Sequence, residues 1–133
     1  MTKETIKIKP LKSSQQDSPI TSDTGQLSVD IYQSDDEIVV LAPIAGITMN
    51  DISINITDDI LIIKGQRKLP ANIPVDNYYT KECFWGNFAR SIVLPVEADK
   101  NKVEATFENA ILEVRIGKTK VERTKIIQIK TQN

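Results

Sequence analysis

The chain has 133 residues, 40% apolar and 26% charged, with a net charge of −1; that is one domain with flanking segments, large enough for a core without staples. No apolar run approaches the roughly 20 residues of a membrane span, and one cysteine, Cys83, allows no internal disulfide, which fits a reducing cytoplasm. Histidine is absent, which excludes Ser-His-Asp and Cys-His catalysis and any histidine metal site.

Other chemistry finds little footing, and neither an enzyme nor a cofactor is expected. Asp35-Asp36-Glu37 and Asp58-Asp59 sit between apolar runs, where Asp favours turns rather than acid/base work. Gly117-Lys118-Thr119 has the ending of a phosphate-binding loop, but Leu112 stands where the upstream Gly is required. Charge is uneven: +1 over 1–25 (four basic, three acidic), −6 over 26–117 (eight, fourteen) and +4 over 118–133 (five, one). The basic end has no aromatic to stack on a base, so it reads as a solvated tail and no nucleic-acid partner is expected.

In chain order, residues 1–25 are polar, with Pro10 and Pro19 and no apolar block of a signal peptide. They read as a mostly disordered arm whose only strand-length pattern is Thr5–Lys9. From Gln26, Leu27, Val29 and Ile31 alternate with polar residues, which predicts a strand that ends at Ser34-Asp35-Asp36. Glu37–Ala42 is a more continuously apolar strand. Asp51–Thr57 alternates Ile52, Ile54 and Ile56 with Ser53 and Asn55, and Ile60–Gly65 is apolar on both faces and predicted to be interior.

Residues 66–78 form a long connection in which Pro70 and Pro74 oppose a central strand, leaving room for a short edge strand around Ile73–Val75. Tyr79–Cys83 is another strand candidate, with Cys83 an inert member. The segment up to Pro95 adds Phe88 as a core residue and Trp85 as packing. Ala98–Asn101 reads as the turn into a hairpin, Lys102–Gly117, in which Val103, Ala105 and Phe107 alternate before Asn109-Ala110 and Leu112, Val114 and Ile116 after it. Ala110 at positive φ would cost roughly 1–2 kcal/mol, so the turn is expected to shift. No stretch carries a helix period over three turns, and about eight short strands separated by polar turns predict an all-β sandwich of the immunoglobulin-like kind.

Three blocks, in order, resemble the α-crystallin domain of small heat-shock proteins. Ile60-Leu61-Ile62-Ile63-Lys64-Gly65 resembles that family's L-x-I-x-G strand, with Arg67-Lys68 following, and Gly86, Phe88, Arg90, Leu94 and Pro95 match its F/Y-G-x-F-x-R-x-x-x-L-P block. Ala105-Thr106-Phe107-Glu108-Asn109-Ala110-Ile111-Leu112 is similar to its A-x-F-x-N-G-V-L motif, with Ala110 in place of Gly. Leu41–Ile47 also looks like the family's D-L-P-G-V loop, with Ala45 in place of Pro. The resemblance covers about residues 26–117 and divides the chain into an arm (1–25), the domain (26–117) and a tail (118–133). The family's arms are usually rich in Phe, whereas here Phe84, Phe88 and Phe107 all lie in the domain.

The resemblance implies an ATP-independent holdase that binds unfolding client proteins and assembles with itself through a strand-exchanged dimer. It makes Ile73 and Val75 candidate dimer contacts, with Arg90 either an interface ion pair or a solvated strand residue. It also implies that Ile127 and Ile129, the I-x-I of the tail, dock on a neighbouring subunit by strand addition. Two buried Ile side chains supply roughly 3–6 kcal/mol before ordering costs, and the ten residues from Gly117 to Ile127 reach up to about 33 Å. I-x-I also occurs at Ile52/Ile54, Ile54/Ile56 and Ile60/Ile62, and in the arm at Ile6/Ile8, so the tail copy is distinguished by its isolation in a polar segment. By the family analogy the receiving groove lies between 51–57 and 87–94, which nominates Ile52, Ile54, Ile92 and Leu94, the alternative being that they are simply core. Ile6-Lys7-Ile8 is a candidate competitor for the same groove. The alternative reading is a non-oligomerising adaptor like the CS-domain co-chaperones, which share the fold but generally lack the long loop and the tail motif.

Overall fold

A computed structural model of the chain describes residues 4–6, 23–119 and 126–131. Among the described residues, nine strands form two sheets: β1 (Glu4–Ile6), β2 (Gly25–Gln26), β3 (Asp30–Gln33), β4 (Glu37–Pro43), β5 (Ile52–Thr57), β6 (Ile60–Arg67), β7 (Gly86–Val93), β8 (Ala98–Glu108) and β9 (Ile111–Lys118). One sheet runs β1-β8-β9-β4-β3 and the other β2-β7-β6-β5. Among the described residues the helical content is two single 3-10 turns, Met49–Asp51 and Val75–Asn77.

The alternation seen in the sequence becomes the dry layer between the sheets. Ile38, Val40 and Ala42 from β4, Leu112, Val114 and Ile116 from β9 and Ala105 from β8 face Ile52 and Ile54 of β5, Leu61 and Ile63 of β6 and Phe88 and Ile92 of β7. β6 lies inside its sheet, as expected, but only its Leu61/Ile63 face is buried. Gly65 stands opposite Phe88 in the β6–β7 register. A Cβ there would fall 2.2 Å from Phe88 Cζ and 2.9 Å from the Asp51 carbonyl oxygen, so the ring takes the space that glycine leaves.

Several expectations change. The strand from Gln26 is split: residues 27–29 carry the chain from one sheet to the other, burying Leu27, whose N–H donates to the Ala89 carbonyl at 3.0 Å. No strand forms at Ile73–Val75 or Tyr79–Cys83, because these segments meet no strand edge of their own chain and residues 79–84 are all exposed. Cys83 is therefore an exposed loop residue rather than a strand member. Ala98–Asn101 is not the turn. The chain turns at 95–97, where the Ala98 N–H donates to the Pro95 carbonyl at 3.0 Å, and 98–101 belong to β8, with a register irregularity before Val103. The arm also contributes β1, although most of it, including Ile8, lies outside the described residues.

The β8–β9 turn does not shift. Asn109 and Ala110 take φ of 53° and 62°, a two-residue turn whose twist matches the flanking strands. The Ala110 carbonyl accepts from the N–H of fully buried Ile44 at 2.7 Å, and Glu108 still pairs with Ile111, so tertiary bonding holds the alanine in the left-handed region.

Two substitutions probe these constraints. Ala110→Gly should raise stability in urea by about 1 kcal/mol through relief of the left-handed alanine. Gly65→Ala should lower it by about 1–3 kcal/mol through overpacking against Phe88. Both are read as a shift in the denaturation midpoint at unchanged slope.

Candidate functional site

An open sandwich leaves four strand edges, and their grouping defines the surfaces on which another strand can be added. Because only residues 27–29 separate β2 from β3, those two edges lie on one side of the sandwich. β5 and the β8 end of the other sheet close the opposite side.

On the β2/β3 side, Ile31 and Tyr32 of β3 are about half exposed (48% and 49%). Arg90 stands beside this edge. It is part-buried and its Nη1 donates to the Leu27 carbonyl at 3.1 Å, so within the chain it fastens the sheet-crossing segment to β7 rather than making an ion pair. Ile73 and Val75 project from the 68–85 loop with exposures of 40% and 73%. The loop's base is held by Arg67, at the end of β6. Its Nε donates to the Ala45 carbonyl at 2.7 Å and its Nη1 to the Phe84 carbonyl at 3.3 Å, and the guanidinium lies 5.7 Å from the Phe88 ring centroid. The Ala45 carbonyl is presented by the turn at Gly46, whose φ is 78°. Tyr78, within the loop, has a buried hydroxyl with no hydrogen-bond partner.

On the other side, the groove nominated from the sequence needs correction. β6 lies between β5 and β7, so 51–57 and 87–94 do not flank a cleft. Ile52, Ile54, Ile92 and Leu94 are all buried in one core cluster, with exposures of 7%, 1%, 7% and 5%. Ile52 and Ile54 do lie on an edge strand, β5. Its counterpart across the sandwich is β8, which holds the Ala105–Phe107 motif and is covered by β1. Sequence patterning could not identify β8 as an outer strand, since a hairpin strand alternates alike at an edge or in a sheet's middle. The tail's Ile126, Ile127 and Ile129 stand in solvent with exposures of 86%, 80% and 92%.

Exposed apolar side chains also occur where the alternation is broken. Ile60 and Val93 are cross-strand neighbours on the outer face of the four-stranded sheet, 38% and 76% exposed. Both are out of phase with the core positions of their strands, and that was the available signal.

Charged chemistry is confined to the surface. Arg115 bonds Glu37 Oε2 at 2.6 Å and Glu113 Oε1 at 2.5 Å, beside an open cleft of about 820 Å3 lined by Asp35, Lys102, Glu104 and Lys118 among others. The hydrogen bond to Glu37 raises the Arg115 pKa above its ordinary value, so its contribution is lost only in strong alkali. With both partners well exposed it adds little to stability. Among the described residues no group of three metal-ligating side chains comes together, and no helix is long and apolar enough to cross a membrane.

The sequence profile of the Hsp20/alpha crystallin family matches residues 30–130. The chain belongs to this family. Small heat shock protein C2 of Rickettsia felis is 37% identical over 101 residues, covering 76% of this chain and 66% of that protein. A 17.5 kDa class I heat shock protein of Glycine max is 32% identical over 71% of this chain and 63% of its own. The match thus spans just under two thirds of these relatives' lengths. Among solved structures, a small heat-shock protein from Xylella fastidiosa, described as having a distinct high order structure, superposes with a TM-score of 0.65 at 28% identity, covering 79% of this chain and 96% of that one. Heat shock protein 16.0 of Schizosaccharomyces pombe gives 0.64 at 27% identity, over 79% and 98%. The β-sandwich is therefore that of the family's alpha-crystallin domain.

Arg67→Ala removes both bonds at the loop base. It should make residues 68–85 cleave several-fold faster in limited proteolysis and cost about 1.5–3 kcal/mol, the range for hydrogen bonds to a charged group, read by urea titration.

Proposed function

We propose that the protein is an ATP-independent holdase that binds exposed apolar segments of unfolding proteins and prevents their aggregation. The observation that carries this reading is the coexistence of addressable strand edges with an I-x-I tail held wholly in solvent. Such edges accept extended chain by backbone pairing, with side-chain pockets adding selectivity, and no catalytic group is required. Client binding then depends on the fraction of time that apolar surface stands uncovered.

Self-assembly follows from the same edges. The 68–85 loop of one subunit lies along the β2/β3 edge of its partner, bringing Ile73 and Val75 towards exposed Ile31 and Tyr32, with Arg90 beside them. Ile127 and Ile129 dock at the β5/β8 side of another dimer and build the larger oligomer. The protein works in the cytoplasm, consistent with its single exposed thiol.

Light scattering from a heat-labile enzyme, without ATP, tests the reading. Suppression is expected near equal subunit ratios. No suppression at any ratio would replace the holdase by an adaptor. In the same preparation, Ile127→Ser with Ile129→Ser should reduce the mass in solution towards that of a dimer.

A further inference from the structure

The arm strand and the tail are two chemically alike segments, and the structure shows one of them already in place. β1 lies antiparallel on β8 with Glu4 opposite Phe107, Thr5 opposite Thr106 and Ile6 opposite Ala105. Without it, β8 would be the outermost strand on that side. An edge has one row of free N–H and C=O groups and accepts one strand at a time.

The likeness of the two segments is in the sequence. The arm reads Thr5-Ile6-Lys7-Ile8-Lys9, of which Thr5 and Ile6 belong to β1, and the tail reads Lys125-Ile126-Ile127-Gln128-Ile129-Lys130. Each is an I-x-I flanked by lysine. Where β1 pairs with it, β8 is flanked by Glu104, exposed, and Glu108, half-buried, with Lys100 and Lys102 further along the strand, so the acidic side chains lie beside the segment that an incoming lysine-flanked strand would cover. The tail meanwhile has its isoleucines in solvent.

We propose that β1 is a built-in occupant of the β8 edge, which must leave before the Ile127–Ile129 tail of a second copy of this chain can dock there. The proposal rests on the tail-docking reading above and adds what regulates it. The arm is tethered and so competes at high effective concentration. It lies at the outer edge of its sheet, paired with β8 alone, so it can leave without breaking any other strand pairing. Arm release then governs how many edges are available for assembly, and the oligomer grows or shrinks with it.

The test uses a fluorescent peptide of residues 123–133 titrated by anisotropy into the full chain carrying Ile127→Ser and Ile129→Ser, so that its own tail does not compete. The same titration is run with residues 2–9 deleted, and with Ile6→Pro, which retains the arm but removes the N–H that faces Ala105 in the ladder. If the arm leaves the edge free about a tenth of the time, both changes should tighten peptide binding about tenfold. Hydrogen exchange at the amides of residues 104–108 should speed up in both variants when no peptide is present. Equal peptide affinity in all three proteins, or unchanged exchange, would overturn the proposal while leaving tail docking intact. Failure of the peptide to bind any of them would overturn the docking reading itself, and the competition with it.

Discussion

The structure depends on the fact that two twisted sheets sharing one dry layer do not close on themselves. Leu61, Ile63, Val40, Val114 and Ile116 are wholly buried between the sheets, and that layer holds the strands in place. The same packing leaves edges whose backbone groups still require partners. Of these edges the β8 side is already covered by β1, while β3, β2 and β5 remain outermost in their sheets.

Within the sandwich, a few contacts determine where the edges and loops lie. Gly65 lets Phe88 cross against β6. Arg67 then rests by that ring and ties the Ala45 and Phe84 carbonyls together. The long loop thus leaves the domain from a fixed base although its outer part meets no strand of its own chain. On the opposite side, the Ala110 carbonyl and the Ile44 N–H join the hairpin turn to the end of β4, so a turn that its sequence disfavours is held by a bond formed only after folding.

Alternation told which residues face inward for β5, β8 and β9, whereas β4 and β6 read as continuously apolar and their inward faces were decided by the packing. It failed where a residue is buried for another reason. Leu27 reads as a strand member, yet it is buried because the chain crosses between sheets there. Val39 lies out of phase with Ile38 and Val40 but is only 2% exposed, since Tyr32 and Arg115 flank it in register. Ala98–Asn101 has turn-like composition because the Asp99 carboxylate accepts from the Asn101 N–H at 3.0 Å, a local bond that sits inside an irregular strand.

The sequence by itself determined the class of fold, the family resemblance, the isolation of Ile127 and Ile129 in a polar tail and the absence of histidine chemistry. These are properties of composition and of side-chain period, which need no knowledge of neighbours. Strand order was decided only in three dimensions. The pleat places side chains on faces with a period of two, but it is silent on which strand lies beside which. Hence 51–57 and 87–94 proved to be separated by β6 rather than to flank a groove, and the arm strand at Glu4–Ile6 was found on the β8 edge. Which backbone groups remain unpaired is settled by pairing across long sequence separations, and that is a tertiary fact.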